Sequence, residues 1–504
     1  MATARAKTVG ALKAAGYQPE TVKQELRRNL RQALQEGREL FPGILGYERT
    51  VIPGVVNAVL AGHDIILLGL RGQAKTRILR ALVQFLDEAV PYLEGSELND
   101  DPLRPISTWG QRLLVEAGDD APVAWLSREE RYNEKLATPD VAIADLLGDI
   151  DPIKAATRKL TFADPEVIHF GVIPRTNRGI FAINELPDLA PRIQVGLFNL
   201  LEERDIQIRG FPVRIPLDLM MVFSANPEDY TNRGTIITPL KDRIASQILT
   251  HYPPDVETAA AITRQEAHTD RDGAKIHLPD EVRLLVEEIT FAARESELVD
   301  HSSGVSARVA IAALELLVSN LERRALTTGD AAGETVVEPR LCDLHMLLPA
   351  ITGKVEMVYE GEQQGPEVVA RQIIGQAIRK VFDARYPEVG REVGSGGEDD
   401  TGPYAQIVAW FADDHHVTLS DEQPFAEYRA QLEQVPGLLQ LTGVPDTEPA
   451  RQAREAEIIL EGLHQHLKLT REDLDSRISY KELVKFQLLR PRRGRPGRGS
   501  GEVN

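Results

Sequence analysis

Three short, almost wholly apolar runs constrain this chain more than anything else in it. They are DIILLGL (64–70), GIFAINEL (179–186) and DLMMVFSAN (218–226). Runs of this length with no polar alternation read as strands buried on both faces. Helical patterns lie between them. KTRILRALVQFLDEAV places Ile78, Leu79, Leu82, Phe85 and Leu86 on one side, and APRIQVGLFNLLEER follows the second run. Strands alternating with helices predict an α/β fold with a mainly parallel sheet, whose ligands bind at the carboxyl ends of the strands.

The first run ends in GLRGQAKT, residues 69–76, and the next helix starts there. A glycine loop between strand and helix can cradle phosphate, because backbone N–H groups at a helix N-terminus face the anion and a lysine adds positive charge. Gly69, Leu70, Arg71, Gly72, Gln73 and Ala74 form the candidate loop. Lys75 is placed to reach the β- and γ-phosphates, and Thr76 to present its hydroxyl to Mg²⁺. The full pattern has a glycine where Ala74 stands. Alanine is tolerable there if its φ is negative, and its N–H survives. Nucleotide binding is therefore expected to persist.

The second run ends in Asn184 and Glu185. In a nucleotide hydrolase the first would hold a metal-bound water and the second would orient or deprotonate the attacking water. An asparagine in the first place keeps an acceptor oxygen but loses the charge, so Mg²⁺ affinity should fall. Asn226 ends the third run, where a neutral amide can bond both a phosphate and the attacking water. TPLKDRIASQI then offers Arg243, and SSGVSARVAIAAL offers Arg308 at a helix start. The fixed, permanently charged fork of arginine suits neutralising charge that develops on phosphate oxygens.

In this order, loop, apolar strand with Asn-Glu, Asn-tipped strand, DR and SAR, the chain resembles the AAA+ ATPases, in particular the MoxR and magnesium-chelatase I-subunit branch. FPGILGYE (41–48), LLGDIDPIKA (146–155), TPLKDRI and VSARVAI carry the same resemblance, which covers roughly residues 40–350. It implies a P-loop AAA+ parallel-sheet domain, a helical lid and ATP with Mg²⁺ as cofactors. It implies that backbone near Leu45 and Gly46 contacts adenine, and that Thr76 and Asn184 lie on the metal side. Glu185 would be the base, Asn226 the sensor on its strand, Arg243 the finger reaching a neighbouring subunit's nucleotide, with Arg233 a second candidate, and Arg308 the sensor on the lid. A ring, most simply a hexamer, follows from that finger, and a separate partner carrying a von Willebrand A-type domain is implied as well. Ala74 and Asn184 are the two departures from the family pattern.

The resulting division is a helical N-terminal segment (1–40), the nucleotide-binding domain (41–255), a helical lid (256–389), a glycine-rich acidic linker (390–403), a helical C-terminal region (404–488) and a basic tail expected to be disordered (489–504). In the first segment Val22, Leu26, Leu30 and Leu34, four apart, are expected on one packed face. The net charge of -19 argues against broad nucleic-acid binding, which needs a basic surface. One cysteine permits no internal disulfide, and no apolar run approaches the roughly eighteen residues of a membrane span. A cytoplasmic setting is expected. Two functions remain open at this point: an ATP-hydrolysing remodelling motor working as a ring on a partner complex, for metal insertion or protein maturation, or a nucleotide-gated scaffold with very slow hydrolysis.

Overall fold

Strand register decides where every polar residue named above ends up. The structure is a computed structural model that describes residues 5–158, 167–208, 214–226, 234–272, 275–328, 336–387, 404–474 and 477–483. The linker 390–403, the tail 489–504 and Arg233 lie outside the described residues. The chain forms two units. The first contains Met1–Glu266, Val299–Val309 and Lys354–Glu356, and the second contains Ala267–Leu298, Ala310–Gly353 and Met357–Asn504.

In the first unit the strands are, in chain order, β1 (Ile65–Leu68), β2 (Ala89–Leu93), β3 (Val123–Ser127), β4 (Tyr132–Leu136), β5 (Gly148–Ile150), β6 (Ile168–Phe170), β7 (Gly179–Asn184), β8 (Asp205–Gln207), β9 (Arg214–Pro216), β10 (Leu219–Ala225) and β11 (Ser246–Leu249). Five of them make one parallel sheet in the order β11-β1-β10-β7-β4. The others pair as antiparallel hairpins, β2 with β3, β5 with β6 and β8 with β9. The three apolar runs are the three central strands. Every residue of β1, β7 and β10 is buried. Ile66, Phe181, Ile183, Met221 and Phe223 join one core, and Ile65, Leu67, Ile180, Ala182, Met220 and Val222 the other. Both faces are covered, which is why these strands carry no polar alternation.

The sheet edges escaped the sequence reading. β4 runs YNEKL, with four half-buried residues and one exposed, and β11 alternates half-buried with exposed. Edge strands need no apolar run. The helix after the loop is also shorter than its periodicity suggests. It spans Lys75–Ala81, continues as a 3₁₀ turn over Leu82–Phe85, and the chain becomes β2 at Ala89.

The N-terminal helix Val22–Gln35 begins with a capping box between Thr21 and Gln24. It buries Val22, Leu26, Leu30 and Ala33, whereas Leu34 is 45% exposed. A spacing of four advances about 40° beyond a full turn at each step, so the stripe drifts off the packed face after three steps. Glu25 on this helix forms a buried two-pronged ion pair with Arg131, at 2.7 and 2.5 Å.

The second unit is mostly helical. Its long helices include Asp280–Glu295, most of Arg308–Thr328, Pro366–Arg385 and Pro449–Gln465. Pro366–Arg385 packs against both Asp280–Glu295 and Pro449–Gln465. The C-terminal region also holds a three-stranded antiparallel sheet, β12 (Val417–Ser420), β13 (Leu469–Leu474) and β14 (Arg477–Glu482), in the order β12-β14-β13. The described residues of 404–488 are thus mostly helical, as expected, with a small sheet that the sequence reading did not include. LTREDL and RISYKE are too polar to announce strands, and they pair because they sit at a hairpin.

Candidate nucleotide site

The loop 69–74 leaves the carboxyl end of β1, one of the three inner strands of the sheet. Leu68 lies level with Ala225 of β10 and Leu249 of β11. The Gly69 N–H bonds to the Ala225 carbonyl at 3.2 Å, and the Thr250 N–H to the Leu68 carbonyl at 2.8 Å. Parallel register therefore brings Gly69, Asn226 and Thr250 to one edge. A side chain at Gly69 would strike Thr250 Oγ1 at 2.0 Å and Gln73 Oε1 at 2.2 Å. Those two atoms are bonded to each other at 2.6 Å. Gly69 is thus glycine for space, and Gln73 is locked under the loop.

Ala74 caps the helix with φ 55° and ψ 15°. The condition set on its tolerance, a negative φ, is not met: the backbone is left-handed there, a region L-residues enter at a cost of about 1–2 kcal/mol. Gly72 is left-handed too, at φ 73°, and a side chain on it would meet Ser306 Oγ at 2.0 Å. Two successive left-handed kinks wrap the loop so that Lys75 turns inward. Its side chain is buried, and its ammonium donates to the Gly69 carbonyl and, at 2.9 Å, to the Leu70 carbonyl. Arg71 is tied by its guanidinium to Ser303 and, at 2.7 Å, to Glu356, and by its carbonyl to the Tyr252 hydroxyl at 3.0 Å.

Thr76, on the first turn of the helix, faces Asn184 at the end of β7, with 3.5 Å between Thr76 Oγ1 and Asn184 Oδ1. The same Asn184 oxygen accepts from Ser224 of β10 at 3.1 Å. Two hard, neutral oxygens at a helix start suit Mg²⁺, which keeps several of its own waters and takes few protein ligands. The residues present fit that ion. Glu185 follows with φ 54°, a second strained backbone position, and its N–H lies 3.4 Å from Ser224 Oγ. Asn226 is buried directly after β10. Lys75, Thr76, Asn184, Glu185 and Asn226 are thus all set along one edge by helix start and strand end.

The fold is an α/β domain with a five-stranded parallel sheet and a glycine loop at the carboxyl end of β1. No family model matches the chain, and no curated protein matches it. Among solved structures it is similar to NtrX from Brucella abortus in complex with ATP, at 16% identity and a TM-score of 0.35 over 61% of this chain and 55% of that one. It is similar also to a model of the BchI–BchD complex of magnesium chelatase, at 19% identity and a TM-score of 0.34 over 64% of this chain and 98% of that one. The chain spans little more than half the length of NtrX. At these values neither likeness assigns a function.

Beside the loop is a shallow concavity whose apolar walls come from Ile44, Leu45, Pro253 and Ile262, with Tyr47 and His251 edge to face at 5.0 Å. The Tyr47 hydroxyl lies 3.0 Å from the Gln73 carbonyl and 2.7 Å from that of His251, and burial pushes its pKa up to about 12. It stays a neutral donor. Gly46 turns the chain at φ 81°, where a side chain would press on Thr258 at 2.9 Å.

Arg308 opens its helix and is exposed, two residues beyond the Ser306 that abuts Gly72. Arg243 goes elsewhere. It ends the helix Thr238–Arg243 just before β11 begins, whereas the loop lies beyond the opposite ends of the parallel strands. It is held by Glu202 at 2.8 Å and lies 4.7 Å over the Phe198 ring. Sequence reasoning missed Gln73's lock on Thr250, Tyr47, Ser224 and Glu134. Each acts through a partner distant in sequence, and no local spacing announces such a pair.

Proposed function

We propose that this chain is an ATP-hydrolysing remodelling motor of the AAA+ class, of MoxR and magnesium-chelatase-like type, acting as a ring on a separate partner complex. The convergence of Lys75, Thr76, Asn184, Glu185 and Asn226 along the carboxyl edge of the parallel sheet carries this reading. Lys75 and the loop N–H groups bind the β- and γ-phosphates. Thr76 and Asn184 hold Mg²⁺, which when bound screens the phosphate charge. Glu185 takes the proton of the attacking water, and Asn226 positions that water against the phosphate. The concavity at Leu45 and Tyr47 receives the base. Arg308 reads the nucleotide from beside Gly72.

Arg243 sits toward the amino-terminal side of the sheet, so it serves a neighbour's nucleotide rather than its own. That supports a homo-oligomeric ring, hexameric in the simplest closure, in which docking completes the site. A partner with a von Willebrand A-type domain and a cytoplasmic setting belong to the same proposal. Among the described residues no helix is long and apolar enough to cross a membrane.

A second reading, a nucleotide-gated scaffold with very slow turnover, is favoured by the missing carboxylate at Asn184. Phosphate release measured beside equilibrium nucleotide binding separates the two. The motor predicts release that Glu185→Gln abolishes while binding stays, and Lys75→Ala abolishes both. Tight binding with no release at any Mg²⁺ concentration selects the scaffold. No binding at all sinks both.

A further inference from the structure

Asn184 is the residue that departs most from a nucleotide hydrolase, and its surroundings show what the departure accommodates. β4 pairs with β7 so that Glu134 lies level with Ala182 and Leu136 level with Asn184. Side chains two apart share a face, so Glu134 and Asn184 are diagonal neighbours beneath the helix Lys75–Ala81. One turn on from Thr76, that helix presents Arg80. Arg80 grips the Glu134 carboxylate with both prongs, Nε at 3.0 Å from Oε2 and Nη2 on Oε1. The Tyr132 hydroxyl adds a third donor at 3.2 Å. Arg80's hydrogen bonds foremost hold the Glu134 carboxyl below its ordinary range.

The consequence falls on the Asn184 amide. Its NH₂ end lies on the face it shares with its diagonal neighbour Glu134. Its oxygen end is committed to donors, Thr76 at 3.5 Å and Ser224 at 3.1 Å. A carboxamide so held has one orientation, with the oxygen toward Thr76. An aspartate could not replace it without harm, because its second oxygen would face the Glu134 carboxylate and like charges at that range cannot both stay ionised without penalty.

We propose that Glu134, clamped by Arg80, is a positioning residue that aims the Asn184 oxygen at the cation side of the nucleotide, so that Asn184 is matched to Glu134. This rests on the Mg²⁺–nucleotide reading above. It inverts the expectation from the sequence: Asn184→Asp, the apparent repair, weakens the site. It also makes the pair reciprocal. In Glu134→Gln with Asn184→Asp the donor and the acceptor trade strands, and the glutamine amide can donate to the new carboxylate.

The test is equilibrium titration of the full chain with a fluorescent ATP analogue, with Mg²⁺ and with EDTA, beside the melting temperature of the unliganded protein. The quantity read is the factor by which Mg²⁺ tightens binding. Glu134→Gln and Asn184→Asp should each shrink that factor by about tenfold, the usual effect of losing an outer-shell partner. Affinity in EDTA should hold, and the double variant should recover most of the loss. An undiminished Mg²⁺ factor in Glu134→Gln, a larger one in Asn184→Asp, or a double variant as weak as the sum of the singles overturns the proposal. A wild-type chain that binds no analogue refutes the nucleotide reading instead. A single variant that weakens binding equally in EDTA, with a lowered melting temperature, shows a structural role and also overturns it.

Discussion

Ala74→Gly isolates the strain in the loop. Ala74 stands at φ 55° and ψ 15° and is exposed, so removing its methyl forfeits little burial. Relief of the left-handed conformation is worth about 1–2 kcal/mol, and the added freedom of glycine in the unfolded chain takes back about 0.5–1 kcal/mol. The net expectation is a gain of about 0.5–1 kcal/mol. For a unit of this size that raises the melting temperature by about 1–3 °C. Urea unfolding followed by tryptophan emission measures it, since Trp109 and Trp125 both belong to the first unit. ATP affinity should change little, because the loop N–H donors and Lys75 remain. Ala74→Val supplies the control: a β-branched residue tolerates left-handed backbone worse, and should lose more than 1 kcal/mol, on the order expected of such an outlier. The reasoning fails if Ala74→Gly is destabilising, for then Ala74 has negative φ and the loop wraps differently.

Glu25→Ala should cost about 3–5 kcal/mol in chemical denaturation, because Arg131, only 1% exposed at its side chain, keeps its charge without a counter-ion. Arg243→Ala should leave nucleotide binding within about twofold and stop phosphate release; with Glu202 then unpaired at the surface, stability should move by less than about 1 kcal/mol. Burial pushes the Glu457 carboxyl up to about 7 from 4.5, so the folded chain keeps a proton that the unfolded chain releases. The stability from that proton is complete below about 4.5 and is lost as pH rises through about 7, and Glu457→Gln should flatten this fall in a series of denaturation curves. Cys342 is fully buried and burial raises its thiol well above the ordinary value, so alkylation monitored by mass spectrometry should be negligible until denaturant unfolds the second unit.

Much of the site was legible because it lies where one element gives way to the next. An apolar strand that stops at Asn184 and Glu185, and another that stops at Asn226, place their polar ends at the edge of a parallel sheet whatever the details of the helices. Glu134 was not legible. It sits in YNEKL, an edge strand with no apolar signature, and its partner Arg80 and diagonal neighbour Asn184 are 54 and 50 residues away along the chain. The left-handed φ at Ala74 was equally hidden, since residue type alone favours a negative φ for alanine.

What the chain's own order of residues determines is local. Buried runs become central strands, the glycine-rich turn becomes a loop at a helix start, and Lys75 and Thr76 follow from spacing alone. Tertiary structure decides the pairings. Parallel register put Ser224 against Asn184, the helix Lys75–Ala81 laid Arg80 across Glu134, and the strand order carried Arg243 away from its own loop. The physical reason is range. Periodicity reports which side of an element is buried, whereas a hydrogen bond or ion pair between distant residues exists only once the sheet has fixed how far each strand slides against the next.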